Sequence, residues 1–238
     1  MNLILLTTDD YIDQNKVRLT GRRQAHIRSV LRASVGQSLR VGLLNDRIGR
    51  AIVTALNDNE VELQVSLDTP PPQPLDITLI LALPRPKVCR RLLQDITTLG
   101  VKEVFLLNSW KVEKSFWQSP LLTTEALQQP LHLGLEQAGD TAPPQIHLRQ
   151  RFKPFVEDEL PQLIANRLAL IAHPGEHPSC PIQPKQPITL AIGPEGGFTP
   201  YEVDKLVATG FAPISLGRRP LRVESAVSAL LGRLHPGF

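Results

Sequence analysis

Hydrophobic and polar positions follow one pattern before residue 69 and another after residue 75. In the first part, short runs rich in apolar residues at positions 39–44, 50–56 and 61–67 predict β-strands, and Asn57-Asp58-Asn59 predicts the turn between the last two. Thr20 is a plausible N-cap for one helix that continues through Leu31. Several short strands with one helix predict a small β-barrel domain over residues 1–69.

In the second part, apolar runs alternate with helical stretches, which is typical of βαβ units with a mostly parallel sheet. Apolar residues at Val88, Leu92 and Ile96 predict a helix that ends at Gly100, and another amphipathic helix is predicted near the C-terminus. We therefore predict an α/β domain over residues 75–238. Its predicted strands span residues 77–83, 103–107, 168–172, 188–192 and 213–216.

The segment from Thr69 to Pro74 separates the two patterns. It contains four prolines, which fix φ and lack a backbone donor, so neither a helix nor a central strand can form there. Such a composition is typical of a stiff, extended linker. We place the domain boundary at this segment.

Composition excludes several classes of protein. With 42% hydrophobic and 21% charged residues, the chain of 238 residues has a globular composition, not a disordered one. Its apolar runs are shorter than the roughly 20 residues that a membrane-spanning helix needs, and Met1 to Leu6 is too short for a secretion signal. Cys89 and Cys180 are isolated. We therefore predict a cytoplasmic protein without disulfides and without a CxxC metal site.

The net charge of +3 is unevenly distributed along the chain. Residues 16–50 contain nine basic residues and one acidic residue, a net charge of +8 that leaves −5 for the rest. A solvated basic face is one interpretation of this window. We favour contacts with nucleic-acid phosphates, made by the arginines on and just after the predicted helix: Arg22, Arg23, Arg28 and Arg32.

A glycine-rich loop, Gly193-Pro194-Glu195-Gly196-Gly197, follows a predicted strand and precedes a helix that starts at Thr199 with a capping box to Glu202. Glycines let the backbone approach a ligand closely, and open α/β sheets bind ligands at the carboxyl ends of their strands. Neither GxGxxG nor GxxxxGK[ST] is present, and Glu195 would repel a phosphate. A neutral or cationic ligand is therefore favoured, with a plain turn as the simpler alternative.

A second strand, glycine loop and helix follow at residues 213–226. The loop contains Leu216, Gly217 and Leu221, and the helix begins around Arg222 and Glu224. An arginine at a helix N-terminus opposes the helix dipole and is poorly placed for stability alone. A functional role for Arg222 is therefore favoured over a solvated loop arginine.

Together these loops resemble the bacterial 16S rRNA (uracil-N3)-methyltransferases of the SPOUT class (RsmE type). The resemblance covers nearly the whole chain and is strongest after residue 168. Asp95 and Asp140 depart from it, because they are acidic where the family is usually basic. The other matching elements are His173-Pro174, Leu99-Gly100-Val101, Glu136-Gln137, and Val30-Leu31-Arg32 with Gly36.

The resemblance implies an N-terminal PUA-like RNA-binding barrel, a C-terminal SPOUT α/β domain with a trefoil knot, and a homodimer formed through the SPOUT domain. It also implies S-adenosylmethionine as cofactor and methylation of a uridine N3 in 16S rRNA or the assembled 30S subunit. The histidines show no metal-ligand spacing, so no metal is expected. By position, the cofactor-binding residues would be His173, Pro174, Ile192, Gly193, Gly196, Gly197, Leu216, Gly217, Leu221 and Arg222.

For catalysis, we expect Arg222 to stabilise negative charge on the uracil oxygens or to contact a phosphate. Glu195 and Glu224 are candidates for accepting a proton or for bracing the loops. Other functions stay open: a divergent SPOUT paralogue acting on another RNA, or a non-catalytic RNA-binding protein of ribosome assembly. A Rossmann-type nucleotide enzyme is disfavoured by the missing fingerprint. Trp110 and Trp117 could stack on bases, although such aromatics are more often part of a core.

Overall fold

The computed structural model describes residues 2–235 and divides them into two compact units. The first comprises residues 2–73 together with 132–143, and the second comprises residues 74–131 together with 144–235. A single boundary was expected at the proline segment, and this prediction missed that residues 132–143 also belong to the first unit. That stretch is attached by the backbone, because the amides of Asn2 and Leu3 donate to the Glu136 carbonyl at 2.9 and 3.1 Å.

The first unit is a six-stranded sheet with the strand order β1-β4-β5-β6-β3-β2. Neighbouring strands are antiparallel except β1 and β4, which are parallel. The strands predicted around residues 39–67 are present, while three further strands were not predicted. The strands are β1 Ile4–Leu6, β2 Tyr11–Asp13, β3 Lys16–Thr20, β4 Ser38–Leu43, β5 Ile48–Leu56 and β6 Glu60–Thr69.

The helix predicted within this sheet domain is short. Helix α1 spans Gly21–Ala25 and continues as a π-helical turn over His26–Val30. Thr20 occupies the N-cap position as predicted, but its side chain makes no capping hydrogen bond. Ile27 is the side chain of the turn that is buried in the core with the inward-facing residues of the strands.

The second unit is a fully parallel six-stranded sheet with the order β12-β10-β11-β7-β8-β9. The central strands β7 and β11 are almost continuously buried, as expected for a parallel sheet covered on both faces. Strand β9 was not predicted, because its residues are only partly buried and mix polar with apolar types. The strands are β7 Leu75–Ala82, β8 Val101–Leu107, β9 Gln145–Arg149, β10 Leu168–Ala172, β11 Ile188–Ile192 and β12 Ala212–Ile214.

The helices of this unit lie in the connections between its strands and after the last one. Helix α2 ends as predicted, with Gly100 at φ +85 directly after the last turn. Helix α3 belongs to the second unit only up to Leu131. The helices are α2 Pro86–Thr98, α3 Thr124–Ala138, α4 Phe152–Pro154, α5 Leu160–Leu163, α6 Pro200–Thr209 and α7 Val223–Leu234.

The predicted α/β architecture is confirmed, whereas the threading of a knot stays a prediction. Across residues 2–235, no helix is both long and apolar enough to cross a membrane.

Candidate active site

The three predicted cofactor loops follow three neighbouring strands. Strand β10 lies between β12 and β11, and all three are parallel, so their carboxyl ends meet at one edge of the sheet. Backbone bonds hold two of the loops together, since the His173 amide donates to the Ile214 carbonyl at 3.1 Å and Cys180 donates to Ser215 at 2.9 Å. The structure therefore brings the residues after Ala172, Ile192 and Ile214 to the same place.

The glycine loop after β11 is packed so closely that side chains are excluded. A Cβ on Gly197 would lie 3.2 Å from Pro174 Cδ and 3.3 Å from His173 Cε1, and its φ is +72. A Cβ on Gly193 would lie 2.8 Å from the backbone nitrogen of Phe198. A plain turn needs positive φ but not this close approach, so the loop has a more specific shape than the simpler alternative requires.

His173 has an unsatisfied buried nitrogen against this loop. Its Nδ1 has no hydrogen-bond partner, and burial lowers the pKa of its imidazole, helped by His177 and Lys111. The Oγ of Ser109, a residue that is 3% exposed, is also buried without a partner. Such orphaned polar atoms are costly unless a ligand or water pairs with them. A tightly packed glycine loop next to a buried nitrogen without a hydrogen-bond partner is suited to bind a ligand that has polar groups.

Glu202 stabilises the end of the glycine loop where helix α6 begins. The sequence had indicated it only as the capping residue of that helix. Its carboxylate is 3% exposed. One oxygen accepts from the Thr199 amide and hydroxyl at 2.8 and 2.9 Å, which completes the predicted capping box. The other oxygen accepts from the Trp110 amide at 2.8 Å. This third bond joins the segment after β8 to the glycine loop.

Lys111 makes a second connection between the same two segments, because its Nζ donates to the Gly196 carbonyl at 2.6 Å. Residues 109–111 are therefore part of the site, although the sequence indicated only Trp110, as an aromatic residue that could stack on bases. The only signal in the sequence for the segment as a whole was its position directly after a strand that proved to be parallel to β7.

The three charged residues predicted for catalysis have different surroundings. Arg222 is the N-cap of α7, is exposed, and forms no ion pair within residues 2–235. Glu224 pairs with Arg91 of α2 at 3.2 Å, and Glu195 lies 3.8 Å from Arg85 at the start of α2. Both carboxylates are therefore paired with arginines that were not predicted to belong to the site.

Two further cofactor candidates are apolar and exposed at this edge. Leu216 is 37% exposed and Leu221 is 46% exposed. Ile192, at the end of β11, is instead 4% exposed and belongs to the core.

The two acidic departures have different surroundings. The Asp140 carboxylate accepts the amides of Thr141 and Ala142 at 2.6 and 2.9 Å, so it shapes the turn after α3. Burial raises the pKa of Asp95 on α2; nearby Arg91 opposes this shift and Glu224 adds to it.

The basic helix of the first unit is largely paired with carboxylates. Arg22 donates to both oxygens of Glu136 at 2.9 and 2.6 Å, and Arg23 donates to both oxygens of Asp10 at 2.6 Å. Arg28 pairs with Asp58. These acids lie outside the sequence window of residues 16–50, so the local charge of +8 overstates the free positive charge.

Two of the four unpaired basic residues of that window lie on the sheet. Arg40 of β4 and Arg50 of β5 are directly opposite each other in the register. Like charges in this position repel each other unless an anion lies between them. Within the described part of the chain, the basic residues of the window that form no ion pair are Arg32, Arg40, Arg47 and Arg50.

Comparison with protein families identifies the chain's relationship. A model described as the RNA methyltransferase domain matches residues 71–235, and a model described as the RNA methyltransferase PUA domain matches residues 19–66. The chain belongs to the RNA methyltransferase family. The predicted PUA-like and methyltransferase folds are thereby confirmed, while the bounds of residues 1–69 and 75–238 stay a prediction.

Curated relatives of this RNA methyltransferase match over most of its length. A protein of Treponema pallidum named ribosomal RNA small subunit methyltransferase E is 27% identical, with 96% of this chain and 88% of that protein covered. A protein of the same name from Synechocystis is also 27% identical, with 97% of this chain and 76% of that protein covered.

Solved structures share the fold. A ribosomal RNA small subunit methyltransferase E from Neisseria gonorrhoeae, bound to S-adenosyl methionine, is 21% identical with a TM-score of 0.75 and 98% and 95% coverage of the two chains. A methyltransferase from Legionella pneumophila in complex with SAM is 23% identical with a TM-score of 0.74 and 99% and 97% coverage. In the described part of the RNA methyltransferase, no group of three or more His, Cys, Asp or Glu side chains could hold a metal ion.

Proposed function

We propose that this RNA methyltransferase transfers a methyl group from S-adenosylmethionine to N3 of a uridine in 16S rRNA of the small ribosomal subunit. The observation that carries the proposal is the loop edge at β12, β10 and β11, where a side-chain-free cradle lies against the orphaned Nδ1 of His173. The names of the curated relatives support the rRNA substrate, and the neighbours crystallised with S-adenosyl methionine support the cofactor.

The cofactor would be held by the predicted residues of the three loops. Gly193, Gly196 and Gly197 let the loop backbone pack closely without side chains of its own, while Leu216 and Leu221 offer exposed apolar surface to the cofactor's ring. When bound, S-adenosylmethionine supplies an electrophilic methyl group on a sulfonium centre. Glu195 can lie close to that cation without the repulsion that it would exert on a phosphate.

Arg222 is the residue proposed to act on the uridine. Its guanidinium is exposed at the loop edge and has no ion-pair partner within residues 2–235, so it is free to stabilise negative charge as N3 loses its proton. Glu195 and Glu224 are proposed to brace the loops, because each already pairs with an arginine of the α2 region. Either carboxylate could also accept the proton.

The deciding experiment combines cofactor binding with methyl transfer. Isothermal titration with S-adenosylmethionine should give saturable heat, and tritium from labelled cofactor should appear in N3-methyluridine after nucleoside mass spectrometry of treated 30S subunits. An absence of binding heat would support the non-catalytic assembly protein instead. Label on another RNA or another nucleoside would support the divergent paralogue.

Arg222→Ala tests the catalytic role. Removing an electrostatic stabiliser costs about 10²- to 10³-fold in kcat, so turnover should fall by that amount. Arg219→Ala is the matched control, because Arg219 is an exposed arginine of the same loop. Wild-type turnover in Arg222→Ala would exclude a catalytic role for Arg222. Equal losses of turnover in both variants would indicate that the positive charge of the loop as a whole, rather than Arg222 itself, supports the reaction.

We assign RNA contact in the first unit to the unpaired arginines. The four arginines predicted from the sequence remain candidates, but three of them already neutralise carboxylates, whereas Arg40 and Arg50 lie opposite each other without one. Arg40→Gln with Arg50→Gln should weaken RNA binding at least tenfold. The control is Arg18→Gln, because Arg18 is an exposed arginine paired with Glu62 at 2.8 Å.

The homodimer and the cytoplasmic location belong to the same proposal. A dimer through the second unit would follow from the resemblance to the SPOUT class, and sedimentation velocity would detect it as a doubled mass. A location in the cytoplasm would follow from a ribosomal substrate, and fractionation of cells that express a tagged chain would test it.

A further inference from the structure

Trp110 is an exposed aromatic residue whose backbone is held in place. It is 86% exposed, whereas Trp117 packs against the core and donates from its indole nitrogen to Asn108 at 2.9 Å. The expectation that both tryptophans are part of the core is thus met only by Trp117. A large apolar side chain so exposed has no stabilising role in the unit that carries it.

The backbone beneath Trp110 is unusually well fixed for an exposed residue. Its amide donates to the carboxylate of Glu202, which is itself 97% buried and bonded to Thr199. The next residue, Lys111, donates to the Gly196 carbonyl at 2.6 Å. The segment that carries Trp110 is therefore held at the rim of the proposed cofactor loop by one backbone bond and one side-chain bond.

The charge next to Trp110 indicates which ligand would cover it. Lys111, the next residue, places its ammonium group at the Gly196 carbonyl of the cofactor loop, and it is close enough to His173 to help lower that residue's pKa. An exposed aromatic ring with an adjacent cation is the combination that single-stranded nucleic acids prefer, because the ring stacks on a base and the cation attracts the phosphate.

We propose that Trp110 stacks on an unpaired base of the RNA substrate, either the target uridine or its neighbour, at the entrance to the cofactor loop. This inference rests on the proposed function, because its ligand is RNA. An enzyme that modifies a base at its pairing edge must take that base out of the stack, and an indole at the rim replaces the lost stacking. Trp110 is then a substrate-binding residue that acts before the methyl transfer itself.

The chain contains two tryptophans, which allows each one to be observed separately. In Trp117→Phe, all tryptophan emission comes from Trp110, and in Trp110→Phe it comes from Trp117. Titration with a single-stranded oligouridylate of about ten nucleotides should quench Trp110 emission and leave Trp117 emission unchanged. If Trp117→Phe does not fold, the difference between wild type and Trp110→Phe gives the same signal.

Affinity and kinetics provide the second test. Trp110→Ala should weaken oligonucleotide binding by roughly 5- to 100-fold and Trp110→Phe much less, because a phenyl ring still stacks. Both variants should keep the wild-type affinity for S-adenosylmethionine, and with 30S subunits KM should rise more than kcat falls. The control is Ile182→Ala, which removes another exposed apolar side chain and should change none of these values.

Some outcomes would overturn the inference without touching the proposed function. One is unchanged Trp110 emission at oligonucleotide concentrations that saturate binding measured by anisotropy. Another is a blue shift of Trp110 emission with protein concentration alone, since a second copy of the chain would then cover the indole. A failure of methyl transfer with quenching intact would instead overturn the proposed function and leave the stacking site standing.

Discussion

Replacing Glu202 by Gln is expected to destabilise the second unit far more than an isosteric change usually does. The Glu202 carboxylate is buried and accepts from two backbone amides, those of Trp110 and Thr199, and from the Thr199 hydroxyl. A glutamine has only one acceptor atom at its end, and its NH₂ group would face an N–H donor. One buried amide therefore loses its partner, and the other loses a charge-assisted bond.

The magnitude follows from these contacts. An unsatisfied buried donor costs about 1–3 kcal/mol, and replacing a charge-assisted bond by a neutral one costs about 1 kcal/mol more, so Glu202→Gln should lose about 2–4 kcal/mol. Urea unfolding followed by tryptophan fluorescence is the appropriate assay, because Trp110 and Trp117 both lie in the second unit.

Glu195→Gln is the matched control for this variant. It makes the same chemical change at an exposed carboxylate 3.8 Å from Arg85, where the loss should stay below about 1 kcal/mol. A Glu202→Gln variant within about 0.5 kcal/mol of wild type would refute the reasoning, because surface substitutions already span that range.

Three further results are expected. Gly197→Ala places a Cβ at φ +72 against His173, so it should cost about 1–2 kcal/mol of stability and weaken cofactor binding at least tenfold by calorimetry; wild-type affinity would contradict the close-approach argument. Burial lowers the pKa of His132 and His173 in the folded protein, so on acidification the unfolded chain binds protons before the folded one does. The free energy of unfolding should therefore be highest above pH 6.5 and should fall as the pH drops below that value. A flat profile in urea melts from pH 7.5 to 5.5 would contradict this. Burial raises the pKa of Cys89 to about 12 and raises that of Cys180, so neither thiol should react with a disulfide reagent at pH 8 until urea unfolds the chain, and rapid labelling of the native protein would contradict their burial.

The sequence predicted the parallel sheet well because its central strands are continuous apolar runs. Strands β10 and β11 have the predicted bounds, and the capping box at Thr199 and Glu202 is present. Strand β9 could not be predicted, because its partial burial removes the apolar signal. Strand β1 is apolar and fully buried but has only three residues, and β2 and β3 are short and contain exposed positions, so none of these three strands was predicted.

The candidate site was predictable only where local sequence determines local shape. The glycine loop could be found because its backbone conformation requires glycine. The contribution of Trp110 and Lys111 could not, since it depends on two long-range bonds to residues more than 80 positions away. The pairing of Arg22 with Glu136 was hidden for the same reason, because the two are 114 residues apart in the sequence.

The carboxylates beside the basic helix have a consequence for how the protein would respond to salt. An arginine that already neutralises a carboxylate displaces few ions from a nucleic acid, because its charge is satisfied before RNA arrives. With single-stranded RNA, each neutralised phosphate contributes about −0.7 to the slope of log affinity against log salt concentration. Four unpaired arginines would give a slope of about −3, where nine free basic residues would give about −6. RNA bound to such a first unit would therefore lose affinity with rising ionic strength about half as steeply as the count of basic residues in the sequence implies.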